Sequence, residues 1–581
     1  MQARNEAALG SPSRRRLLTG APPGMPAEHV APPTGGSAAR ASQVSQPPAA
    51  VRWLSKATYG FTQAEMDAFN ALGGDDSARW TAWINQQLDP AGINDGACDS
   101  RLASAGFSTL GKSVQQLWAQ HHEQSDYYTR LLPLYETESA MVIRALYSRR
   151  QLFERMVGFW HDHFSVYGGD YDGAPMFVQY DRDVMRGHAL GNFRTLLGTV
   201  ARSTCMQFYL DNYASKGANF NENYGRELIE LHTLGVENYY GPGDPFQVPC
   251  LGFTDIHCEG SFPAGYVDND VYEAAAALTG WSIKNGNWQF PNDNDGTFVY
   301  RSEWHQHNNK FFLGRYLPAN QPAMLDGEQV LDRLCAHPGT ARHIATKLCR
   351  RFVGEDASSS LIDRVASDFT NHLADPDQIS IMLRTVLESD EFKTGWGSGM
   401  KRPLEATLGA LRAFGADFTP VPDNTGTWTV SDEFFSRLQQ AGHRPFRWGP
   451  PNGYPDSMGA WASTGTLAMT MKLLARLPEL PRDRSSGSPP LADVVAQTQS
   501  AVSNPTATNI ISYWSDRVLG WQPQPLTGTV TAFMQQNAGT SEALDLSSDN
   551  WNSGNLKAHY VQSRLRTAVS MLAMNPEYLK R

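Results

Sequence analysis

The sequence predicts a mainly α protein: one large helical domain with a small β-containing insertion. Apolar residues recur at helical spacing between residues that start or stop helices, such as Thr62, Asn221 and Gly235. One stretch, 281–316, abandons that spacing for Asn, Gly and Asp turns. Hydrophobic residues make up 41% of 581, which suffices for a sizeable core.

Residues 1–50 are rich in Ala, Pro, Gly, Ser and Arg and cannot offset their ordering entropy by burial, so a disordered tail is expected. From Val51 the texture changes. Val51, Leu54 and Ala57 mark a helix, Gly60 a turn, and Thr62 the cap of a second helix. Met141 to Phe164, with Leu152, Met156, Phe159 and Trp160 at helical spacing, reads as one long interior helix. Further helices are expected at 181–202, 222–234, 269–280, 326–353, 358–373, 378–393 and 400–415. The domain runs over 51–581, with 281–316 as its β-rich insertion. Arg482–Pro490 and Ala538–Gly554 read as exposed loops. Leu383 to Phe392 and Leu565 to Tyr578 echo one another as two similar helix ends rather than repeats.

With 49 basic and 59 acidic residues the net charge is −10, which argues against a nucleic-acid binder. No apolar run is long enough to be a transmembrane segment. The run Ser13-Arg14-Arg15-Arg16-Leu17-Leu18-Thr19 reads like a twin-arginine export signal, although the apolar stretch that should follow is missing. A periplasmic or extracellular location is the expectation. Six cysteines include no C-x-x-C, which sets aside a cysteine zinc site or a haem attachment. Cys250 and Cys258 lie in a Pro/Gly-rich loop that a short disulfide would staple. Cys335 and Cys349 either pair or stay as buried thiols.

The most informative segment runs from Asn221 to Gly235, a helix framed by its own cap and stop. At about 100° per residue, Asn223, Glu227 and Glu230 share one side within about 60°, beside an apolar stripe of Tyr224, Leu228 and Leu231. Two carboxylates at a core margin need a cation: Arg226, another arginine or a metal ion. His232 falls about 180° from Glu230 on an ideal helix and shares its site only if the last turn distorts. Upstream, His163 shares a face with Trp160 and Met156, and His188 opens or crosses the next helix. Imidazoles with carboxylates suit a divalent zinc, iron or manganese ion. On this reading His163, His188, Glu227 and Glu230 are metal ligands. Glu227, Glu230 and His232 form the catalytic set, and Asp211, Asn223 and Arg226 support it from behind. The competing reading makes the histidines core residues bonded to backbone and the carboxylates a pair tied by Arg226.

Trp304 to Lys310, which includes His305 and His307, is either a pocket edge or a wet loop. Pro450 to Asp456, followed by Trp461 to Thr464, reads as a rigid turn into a capped helix. No G-x-S-x-G elbow, Walker loop or G-x-G-x-x-G is present. Glu227 and Glu230 cannot flank a sugar as a glycosidase pair, because they share one side of one helix.

From Val51 to Arg581 the chain resembles the large bacterial family catalogued as domain of unknown function 1800. The likeness rests on Phe159–Phe164 (F-W-x-x-H-F), His188–Leu197 (H-A-L-G-N-F-R-x-L-L) and Ala277–Trp281 (A-L-T-G-W). It also rests on Pro450–Thr464 and on Asn221–Gly235, where Gly225 and Ile229 replace Ala and Leu of the signature N-E-N-Y-A-R-E-L-L-E-L-H-T-L-G. Gln306 and Asn308 depart from an H-D-x-G-x-K stretch, and the 237–266 loop is longer than usual. The resemblance implies a mostly helical, commonly exported protein, often encoded beside a second exported family, domain of unknown function 1501, with no established reaction. The leading expectation is an exported metal-dependent enzyme, hydrolytic or oxidative, acting on an extracellular or envelope substrate. Its rivals are a non-catalytic envelope or assembly protein working with a partner, and a polysaccharide binder suggested by the Trp/Tyr/Asn-rich middle.

Overall fold

The computed structural model describes residues 46–581 except 218, 253–257 and 486. The tail with its twin-arginine-like run lies outside the described residues, apart from its last few. The fold is helical throughout, with two small two-stranded antiparallel ribbons in the middle of the chain. Trp281–Asn285 pairs with Asn294–Tyr300, setting Trp281 opposite Tyr300, and Lys310–Phe312 pairs with Arg315–Leu317. Both fall at the expected insertion.

The first helix, Ala49–Ala57, turns through Gly60 at φ +92° into Gln63–Asn70, which Thr62 and Glu65 cap reciprocally. A Cβ on Gly60 would sit 2.9 Å from the Gly409 Cα, so this turn needs glycine for its φ and for close approach.

Four expected helices are broken, one of them, the 378–393 run, at the extended Ser389. Met141 to Phe164 is divided between Tyr127–Tyr147 and Gln151–His163. Asp95 accepts from the Ser148 hydroxyl (2.6 Å) and the Arg149 N–H (2.7 Å), and Ser148 is extended. The 181–202 run breaks at Gly191 and Asn192, where Asn192 caps Phe193–Arg202. The 326–353 run becomes Leu325–Ala336 and Pro338–Phe352, because Pro338 cannot continue the first helix and starts the second.

Two hydrophobic cores result. One gathers Trp80, Trp160, Leu228 and Trp281; the other gathers Leu408, Phe434, Trp514 and Leu565. The echoed helix ends are alike, each a helix followed by a short capped one, at Ser389 and Asn575. Cys250 and Cys258 form a disulfide, and Cys335 and Cys349 are buried free thiols.

Candidate functional site

Glu222–Glu230 forms the central helix. Asn221 accepts from the Asn223 N–H (2.9 Å) and donates to the Leu210 carbonyl (2.9 Å), fixing the entry. Tyr224, Leu228 and Ile229 are buried, and Gly225 brings the helix onto Asp268–Ala277. The helix stops four residues short of the expected end. The Leu231 and His232 N–H groups both donate to the Glu227 carbonyl (2.9 and 3.1 Å), and the Gly235 N–H reaches back to Ile229 (3.3 Å). This widened turn carries His232 into the interior, where it is 1% exposed.

The cation beside the carboxylates is engaged elsewhere. Arg226 donates through Nε to Glu222 (2.9 Å) and through Nη2 to Asp268 (3.3 Å). Among the described residues neither Glu227 nor Glu230 has a hydrogen-bond or ion-pair partner. Burial first, then the Glu230 charge, pushes the Glu227 carboxyl up to about 7, and burial also raises Glu230. The buried Tyr266 hydroxyl has no partner among the described residues, and its ionisation is disfavoured by burial and then by the Glu230 charge.

Three imidazoles from separate segments lie just beyond. His163 donates through Nε2 to the His232 carbonyl (3.1 Å), and its ring centroid is 6.3 Å from those of His232 and His343. His343 bonds through Nδ1 to Glu237 (2.9 Å). His163 Nδ1, His232 Nδ1 and His343 Nε2 are buried without a partner among the described residues. Burial, reinforced by Lys347, drives His163 far below the ordinary histidine range and His232 to about 3, so both are neutral. Burial lowers Lys347 itself to about 8. Gly235, at φ +88°, is obligatory: a Cβ there would lie 2.4 Å from Glu237 Oε1 and from His343 Nδ1.

The expected four-ligand set is not brought together. His188 lies half-buried against Thr199, 3.4 Å from its hydroxyl, while Asp211 and Asn223 are exposed. Among the described residues no group of three or more His, Cys, Asp or Glu side chains is placed to hold a metal ion. Two imidazoles on one tetrahedral ion bring their centroids to about 5 Å, closer than the 6.3 Å observed. The 304–310 cluster is a wet loop at its centre, where His307, Asn308 and Asn309 are exposed, and is pinned at its ends. His305 (3.1 Å) and Lys310 (2.5 Å) both bind the buried Asp326. His343, Lys347, Glu237 and Tyr266 had no role in the sequence reading. The i, i+4 spacing of His343 and Lys347 was the available signal.

The family described as "Protein of unknown function (DUF1800)" matches residues 52–580. The chain belongs to that family. No curated protein and no solved structure matches it.

In this DUF1800 chain the elements that carried the resemblance meet one another. Within Phe159–Phe164, Asp162 accepts from Arg351 (2.7 Å) and Arg402 (2.6 Å), and both arginines also hold Asp456 of the Pro450–Thr464 element. His161 binds Asp181 (3.0 Å), Trp160 donates to the Ala189 carbonyl (2.9 Å), and His163 reaches the end of the signature helix. Gly453, at φ +74°, lies directly on the Asp162 carbonyl.

Proposed function

We propose that this DUF1800 protein is a hydrolytic or oxidative enzyme whose working groups are Glu227 and Glu230. One observation carries the reading: two adjacent carboxylates stand at the core margin while the nearest arginine is committed to Glu222 and Asp268. Such a pair is compensated by a shared proton or by a bound cation. A shared proton makes Glu227, poised near neutrality, an acid–base group, with Glu230 as its ionised neighbour. Zinc, iron or manganese on the same oxygens is the other compensation. The Cys250–Cys258 disulfide supports an oxidising compartment, and hence an extracellular or envelope substrate.

An infrared pH titration of wild type against Glu227→Gln tests the proton, and metal analysis of protein purified without affinity-tag metals tests the cation. A protonated-carboxyl band that disappears near pH 7 in wild type and is missing in the variant supports the shared proton. Stoichiometric metal lost on Glu227→Gln supports the cation. A metal-free wild type with no such band overturns the reading.

A second reading, a non-catalytic assembly protein working with an exported partner such as a member of the domain of unknown function 1501 family, is favoured by one feature. His161, Asp162 and His163 each bind a distant part of the fold. Co-purification of a partner, with folding rather than turnover lost on Glu230→Gln, would support it.

A further inference from the structure

The helix Tyr127–Tyr147 and the region around Val430–Gln440 line an open groove of about 420 Å³, away from the carboxylate pair. Tyr128, Tyr135 and Trp428 line it together with Asp432, Gln439 and Arg444. Trp428 directly precedes the N-cap Thr429, whose hydroxyl and Asp432 form a reciprocal cap. A hydrophobic residue in that place ordinarily packs on the fourth helical residue. Here the fourth residue is Glu433, bound by Arg437, Arg476 and Arg484, so Trp428 has no apolar partner in the first turn and stays 57% exposed.

The floor is rigid. The Glu138 side chain, 1% exposed, takes Arg444 on both oxygens (3.1 and 2.6 Å) and Arg447 on one (2.7 Å). Tyr128 and Tyr135 are tilted against each other with ring centroids 5.8 Å apart. Among the described residues the hydroxyls of Tyr128 and Tyr135 and the side-chain amide of Gln439 make no hydrogen bond, so their polar ends are open to a ligand.

We propose that this groove binds a neutral saccharide chain. Sugar rings present apolar C–H faces that stack on exposed aromatic rings, and hydroxyls that donate and accept together. The groove offers both kinds of partner, with donors on Arg444 and Gln439 and an acceptor on Asp432. A phosphate would face Asp423 and Asp432, so charge selects against an anion. Arg444 is neutralised by Glu138, so the choline arm of the test is what separates a saccharide from an organic cation.

Isothermal titration with cellohexaose, xylohexaose, maltohexaose and chitohexaose, with choline as a cation probe, tests the proposal. At least one hexasaccharide should bind wild type. Trp428→Ala should weaken it by about tenfold, and Gln439→Ala should weaken it as well. Trp288→Ala, which alters an 84% exposed tryptophan outside the groove, should leave binding unchanged. Thermal melts confirm that each variant folds. The proposal is overturned if no hexasaccharide binds, if only choline binds, or if Trp428→Ala binds as tightly as wild type.

Discussion

Asp456→Asn should destabilise the protein at neutral pH by an amount the structure sets. Burial alone would raise the Asp456 carboxyl, but Arg351 and Arg402 more than reverse this and bring it down from 3.8 to about 2. At 1.36 kcal/mol per pKa unit, that depression is worth about 2 kcal/mol of folding free energy at pH 7. The Asp456 side chain is only 16% exposed, so solvent screening takes little away. Breaking a buried ion pair by removing one partner costs about 3–5 kcal/mol when the other charge is stranded. Here Arg351 and Arg402 keep Asp162, so neither charge is stranded and the cost falls below that range, at about 2–3 kcal/mol.

The sign in pH follows from the depressed pKa. This stabilisation is complete above the unfolded value of 3.8 and is lost as pH falls through about 2. Urea unfolding followed by tryptophan fluorescence at pH 7 and at intervals down to pH 2 measures both parts. The variant should be weaker at pH 7 and should converge on wild type in acid. A variant within about 0.5 kcal/mol of wild type at pH 7, the range of an ordinary surface change, would refute the reasoning.

Glu227→Gln should raise stability above pH 7 by up to about 3 kcal/mol. Wild-type stability falls as pH rises from 4.5 to about 7 and then levels, and the variant should lack that fall in the same unfolding assay while losing any turnover. Gly225→Ala restores the family's residue and gains roughly 1 kcal/mol of helix propensity. Its Cβ would, however, sit 2.8 Å from the Val271 carbonyl and 2.9 Å from the Ala275 nitrogen. Overpacking of about 1–3 kcal/mol should win, lowering the melting temperature; a rise would show that the two helices yield. Alkylation of urea-denatured, unreduced protein should label Cys98, Cys205, Cys335 and Cys349 and spare Cys250 and Cys258. Sparing of Cys335 and Cys349 would show them paired.

Periodicity made the helices and the β insertion legible because both are local patterns. The break at Ser148 was not, because what stops the helix there is Asp95, 53 residues away in sequence; Pro338 and the Asn192 cap, by contrast, are local signals. Helical phase put Glu227 and Glu230 side by side, and nothing tertiary was needed for that. The partner of Arg226 was ambiguous, since Glu222 at i−4 competes for it and Asp268 lies on another helix. His343 could not be joined to His163 from sequence. The two approach only because the chain turns at Gly235 and Glu237 then meets a helix 106 residues further on.

The treatment of charge elsewhere in the molecule explains why the pair at Glu227 and Glu230 points to function. Glu138 takes two arginines, Glu405 is held by Arg155 and Arg581, and Asp326 is held by Lys310 and His305. Asp270 and Glu136, without a cation, are held by N–H and hydroxyl donors instead, so these deeply buried carboxylates are all matched, in some cases by a partner hundreds of residues away. Leaving two half-buried carboxylates unmatched on the signature helix, beside imidazoles that each keep one ring nitrogen unmatched, departs from that pattern. Departures of that kind cost stability and persist where chemistry or binding repays it. A purely structural role would predict the opposite: an arginine turned toward Glu230 rather than toward Glu222.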